Sequence, residues 1–158
     1  MGLTIEDGTG VAGADSFATL AEFDTACTNY FGAEVDGTDG LKEAGLRRAF
    51  VAMSGLEWSA GLWPEFGGEI PDAVKLAQSV FGRVEVLSPL SLSPTITLSG
   101  RKVLTAVEGL KWAPIGDQNT VEGSRPVVTM AMDLLRPYLA HDPSKDRSVG
   151  LGMMSVGP

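Results

Sequence analysis

Apolar residues recur along the chain at helical spacing in four places and at alternate positions in one. Leu20, Phe23, Ala26, Cys27 and Tyr30 fall at i, i+3, i+6, i+7 and i+10, the stripe of an amphipathic helix. The Thr19-Leu-Ala-Glu22 run before it has the spacing of a capping box, in which the threonine hydroxyl accepts from the third N–H and the glutamate reaches back. Gly32 can close this helix. A second helix is predicted over residues 41–59, with Asp39 as N-cap and Ala49, Phe50, Met53, Leu56 and Trp58 on its buried side. Gly45 and Gly55 lie inside it, each costing about 1 kcal/mol against alanine, so either backbones approach closely there or the helix is shorter. Pro71 sits at a first helical position, followed by an apolar stripe of Ala73, Val74, Ala77, Val80, Phe81 and Val84. Pro126 opens a fourth helix through Met130, Ala131, Leu134 and Leu135 to Leu139, with Pro137 bending or fraying its last turn.

Between the third and fourth stripes the period changes. Residues 88–94 form a Ser/Pro breaker, and residues 95–113 alternate apolar and polar positions with glycines between, the pattern of a small β-hairpin. Residues 2–18, rich in Gly, Ala, Asp and Thr, read as an extended or looped N-terminal arm. The fold class is therefore mainly α: a four-helix bundle with a small β-hairpin and extended N- and C-terminal arms. The helical domain covers residues 1–139, and residues 140–158 form an extended C-terminal tail. In that tail Val149, Leu151, Met153, Met154 and Val156 are apolar, which suits addition to a sheet edge or insertion into a groove, on a neighbouring subunit or another protein; a disordered or self-packed end fits the sequence equally.

Charge is unevenly placed. The first 41 residues hold eight carboxylates and no lysine or arginine, so the whole formal net charge of −8 belongs to that quarter. Glu6, Asp7, Asp15, Glu34, Asp36 and Asp39 are the candidate acidic face, either solvated, or a surface that meets a basic partner or repels DNA. No basic cluster of the kind that displaces counterions from phosphates is present. Apolar runs reach only about five residues, against the ~20 that a membrane-spanning helix needs. Met1 leads into an acidic stretch, so no secretory signal and no membrane partner are expected.

Candidate chemistry is sparse. Gly8-Thr-Gly10-Val-Ala-Gly13 matches the dinucleotide-binding G-x-G-x-x-G pattern, but it follows Glu6-Asp7 and the nearest helix cap lies six residues beyond it, so nucleotide binding is not expected. The single cysteine, Cys27, lies on an apolar stripe and reads as a buried inert thiol. The single histidine, His141, stands beside Asp142 in a polar linker and reads as solvated. Nothing fixes a spacing between Glu65 and Glu69. No basic residues interleave with Trp58 and Trp63, and only Lys111 adjoins Trp112, so core or interface packing is expected of them before base stacking. No catalysis, no metal and no cofactor are expected.

The segment from Thr4 to Phe17, with E-D-G-T-G followed by A-D-S-F, then Leu20-Ala-Glu22, resembles the start of tailed-bacteriophage head–tail connector (adaptor) proteins. The helix of residues 41–59, Trp63-Pro64, Ile70-Pro-Asp-Ala-Val-Lys-Leu-Ala77 and Leu134-Leu-Arg-Pro-Tyr-Leu139 extend the likeness in order. Glu65 departs from the basic residue often found after Trp-Pro. The resemblance implies a homo-oligomeric ring, usually of twelve copies, beneath the portal protein in the virion neck, assembled in the bacterial host cytoplasm. Such a ring extends the channel for genomic double-stranded DNA without binding it specifically, and it attaches the stopper or tail protein. The C-terminal tail would then dock on the portal. Some relatives carry the label DnaT-like single-stranded-DNA-binding protein, which implies the alternative: a replication accessory that binds single-stranded DNA.

Overall fold

The computed structural model describes residues 2–93 and 127–140, and the backbone of 106–107 and 110–111. Among the described residues the protein is mainly helical: α1 (Leu20–Phe31), α2 (Asp39–Ser54), α3 (Asp72–Leu87) and α4 (Thr129–Leu135), the last running into a 3-10 turn, Arg136–Tyr138. Two short strands, β1 (Ala106–Val107) and β2 (Leu110–Lys111), pair antiparallel with Ala106 opposite Lys111. They fall inside the stretch read as a hairpin, most of which lies outside the described residues, as does the tail with Val149, Leu151, Met153, Met154 and Val156. None of the described helices is long and apolar enough to cross a membrane.

Local chemistry sets the helix ends. At α1 the Thr19 hydroxyl accepts from the Glu22 N–H at 3.2 Å while the Glu22 carboxylate accepts from the Thr19 N–H at 2.7 Å, and Gly32 ends the helix at φ 80°. The second helix is shorter than its pattern suggests. It begins at Asp39, with Thr38 in the N-cap position, and stops at Gly55, so Leu56 and Trp58 belong to the following loop. Pro71 is the N-cap of α3 and not its first residue. The fourth helix starts at Thr129, and its end tightens at Pro137 as a proline in the last turn requires.

The third helix is the axis around which the rest packs. A Cβ on Gly45 would stand 2.6 Å from Val86 Cγ2 and 3.0 Å from the Gly82 carbonyl, so α2 and α3 cross at backbone contact. The glycine inside α2 is thus a crossing point and Gly55 is a boundary. The main core gathers Phe17, Met53, Val74, Phe81 and Leu135, while Phe23, Cys27, Val35 and Leu46 form a second cluster under α1.

The extended N-terminal arm is corrected. Residues 2–18 fold back on the body: Ile5 and Ser16 form a parallel bridge, and Phe17 and Ala18 are fully buried. The polar Gln78 of α3 holds them there. Its fully buried side-chain oxygen accepts from the N–H groups of Phe17 (2.8 Å) and Ala18 (3.0 Å), and its nitrogen donates to Ser16 Oγ and the Leu46 carbonyl, both at 3.0 Å. Four buried polar groups are satisfied by one amide, which is why a segment poor in large apolar residues is nonetheless ordered.

Candidate functional site

The glycine-rich loop shows what its motif does. Glu6 is 1% exposed, and its carboxylate accepts hydrogen bonds from the N–H groups of Gly8 (2.8 Å), Gly10 (2.9 Å) and Val11 (2.8 Å). Successive backbone N–H groups in such a concavity form an anion nest, and here the anion is a side chain of the same chain. Gly8, at φ 101°, lies so close to the Gly68 carbonyl that a Cβ would approach to 2.3 Å. The loop is therefore closed on its own carboxylate and braced against the 61–70 loop.

The candidate acidic face divides. Glu6 is interior, because it fills the nest, and does not belong to any face. Asp15 is half-buried and bonded to Arg47 Nε at 2.6 Å, and its other oxygen accepts from the Thr4 N–H. Asp7 is exposed; hydrogen bonds from the Thr9 hydroxyl and N–H hold its carboxyl below the usual carboxylate range. Glu34 and Asp36 on the turn between α1 and α2, and Asp39 at the start of α2, remain exposed.

Six of the twelve lysines and arginines are in the described helices, and five of these are tied to carboxylates. Lys42 meets Asp24 at 2.6 Å, Arg47 meets Asp15, Arg48 meets Glu85 at 2.6 Å, Lys75 meets Glu22 at 3.1 Å and Arg136 meets Asp133 at 2.7 Å. The Asp24 hydrogen bond raises the pKa of Lys42, and that of Asp15 raises the pKa of Arg47. The sixth, Arg83, instead stacks on the Phe31 ring, with Cζ 4.3 Å from the centroid. Residues 1–64 match a family model described as "Putative DnaT-like ssDNA binding protein". No curated protein and no solved structure matches the chain.

Sequence reasoning missed Glu85. It is 1% exposed, and its carboxylate receives Arg48 Nε, the Leu90 N–H (2.8 Å) and the Leu92 N–H (2.7 Å), while Arg48 Nη2 also donates to the Glu85 carbonyl. Leu90, at φ 65°, sits in the left-handed region that a leucine rarely adopts, and the clamp holds it there. A legible sign was available: Gln78, Gly82 and Glu85 fall at i, i+4 and i+7, a polar and small stripe on the apolar α3.

The aromatic residues pack with one another. Trp58 stacks on Trp63 at 5.1 Å and donates its indole N–H to the Met53 carbonyl, and Phe66 meets Trp58 edge-on at 5.1 Å. Phe17 and Phe50 complete the group, which closes over the main core. Cys27 is buried, and that burial pushes its thiol pKa up, away from nucleophilic use. Among the described residues no group of His, Cys, Asp and Glu is arranged to hold a metal ion. An open groove of about 730 Å³ runs between α1 and α3, floored by Ala26, Leu76 and Leu134 and carrying the Glu22–Lys75 pair.

Proposed function

We propose that the chain is a structural assembly module of the head–tail connector kind: a ring-forming protein of a phage neck that joins portal to tail and performs no catalysis. The observation that supports this reading is the commitment of the cations. Five of the six in the described helices are neutralised by internal carboxylates, and the sixth is spent on an aromatic ring, so the described body offers phosphates a net negative surface. A conduit for moving DNA gains from such a surface, because phosphate contacts would retard passage. With the N-terminal segment folded on its own body, the contacts with the portal fall to the C-terminal residues Val149–Val156 and those between copies to helical surface.

The family match over residues 1–64 favours a second reading, binding of single-stranded DNA, and none of the comparisons supports the connector. Under that reading the phosphate contacts fall to Arg101, Lys102, Lys111, Arg125, Lys145 and Arg147, since the cations of the matched segment, Lys42, Arg47 and Arg48, are all paired.

Two measurements on the full chain separate the readings. Fluorescence anisotropy with a labelled oligo-dT at rising salt should show no binding at moderate salt, and negative-stain microscopy with mass photometry should show rings, about 200 kDa for twelve 16.5 kDa copies. A particle without rings that binds oligo-dT with an affinity falling steeply in salt would falsify the connector and establish the second reading.

A further inference from the structure

One end of the bundle differs from the rest of the described surface. It comprises the C-terminus of α1, the turn 32–38, the N-terminus of α2 and the C-terminus of α3. These are brought together where Gly37 lies against Leu41 and Val86, and where Gly45 lies against Val86. Of the eight large apolar side chains exposed among the described residues, five are on these segments or just after α3: Tyr30, Phe31, Leu41, Leu87 and Leu90. Four of them are more than half exposed, which is unusual for residues of this size clustered on one face.

Arg83 stands within this patch. Its guanidinium lies on Phe31, its Nε is buried without an acceptor, and no described carboxylate comes within ion-pair distance of it. A buried donor left unmet in a folded protein calls for a partner or an explanation. Asp36 on the neighbouring turn and Asp39 at the start of α2 are exposed, and Glu34 is 66% exposed with a 3.8 Å approach to Lys42. The patch thus carries one cation without a carboxylate partner beside three exposed carboxylates that have only Lys42, itself bonded to Asp24, near them, set among apolar side chains.

We propose that this end binds a second copy of the chain, Arg83 of one copy meeting Asp36 and Asp39 of the other, with Tyr30, Phe31 and Leu41 buried between them. A surface that holds both signs next to each other is complementary to itself, which is the condition for contact between identical subunits. A nucleic acid is disfavoured because the carboxylates there outnumber the cation. This surface does not depend on the connector reading: a self-complementary contact pairs two copies about a two-fold axis and does not by itself close a ring.

The test is a charge swap in the full chain, read by sedimentation velocity across a concentration series. Wild type should self-associate, and R83E and the double variant D36R/D39R should each weaken association by about tenfold or more. An equimolar mixture of the two variants should restore it, since each supplies the charge the other lost. Far-ultraviolet circular dichroism and thermal melts check that both variants fold; Asp36 and Asp39 are exposed, so the double variant keeps the test valid if R83E does not fold. Three results would overturn the proposal: a wild-type monomer at every concentration, association unchanged by both substitutions, or loss of oligo-dT binding as the sole effect of R83E. Rings that persist in both variants would leave the connector reading standing and remove only this contact.

Discussion

The N-terminal clasp and the far end of the bundle reverse what their compositions suggest. Residues 2–18 contain few large apolar side chains, yet Glu6 ties the segment together from within, and Gln78 and Arg47 fix it to the body. The end around α1, α2 and α3 is regular helix, yet it leaves Tyr30, Leu41 and Leu87 more than half exposed. Order and burial are therefore supplied by different means. A segment can be held by satisfied hydrogen bonds with little apolar area, while a regular helix can end in surface that the monomer does not bury.

The sharpest way to break this contrast is at Gln78. Gln78→Leu conserves volume but strands the Phe17 and Ala18 N–H groups and the Leu46 carbonyl, and should cost about 4 kcal/mol in urea unfolding. A loss below about 1 kcal/mol would show that the clasp is held by something else. Gly8→Ala places a Cβ against the Gly68 carbonyl at a positive φ and should cost about 3 kcal/mol. Proteolysis should then begin within residues 2–18 before it reaches the helices. Glu6→Gln keeps the shape, and its amide oxygen can still accept from Gly8 and Gly10, but its NH2 then faces the Val11 N–H, and a loss of about 2 kcal/mol is expected.

Smaller effects come from the cap and from the far end. Burial pushes the Glu22 carboxyl up, but hydrogen bonds from Thr19 and the nearness of Lys75 outweigh it, so its pKa lies below the ordinary value of 4.5. The stability this carboxylate contributes is present above the unfolded pKa and fades as pH falls through the folded one. Thr19→Ala should cost about 1 kcal/mol near neutrality, and the gap to wild type should narrow as pH falls through the lowered pKa of Glu22. Denaturation midpoints at several pH values test both parts. Leu41→Ser, at the exposed end, should change monomer stability by less than about 0.5 kcal/mol while lowering the tendency to associate.

Much of the helical layout was legible because it rests on local rules. The Thr19–Glu22 box and Gly32 bounded α1, and the stripe of Val74, Ala77, Val80 and Phe81 marked the buried side of α3. The end of α2 was harder to place, since Trp58 continues the apolar rhythm beyond Gly55 and is instead drawn into a bridge with Leu139. The clasp was not legible at all. Its stability depends on where α3 brings Gln78, some sixty residues away, and no periodicity reports a contact of that range. Of the candidate acidic face, the sequence marked the charges but not that Glu6 is enclosed by its own loop and Asp15 by Arg47.

The Glu85 clamp gives the chain a mechanical property. Because Arg48 of α2 and the Leu90 and Leu92 amides all converge on one carboxylate of α3, the direction in which the backbone leaves the bundle at Ser93 is set by two helices together. A pull on the backbone at Ser93 therefore loads α2 and α3 together and not the last turn of α3 alone, so the junction behaves as a welded bracket more than as a hinge.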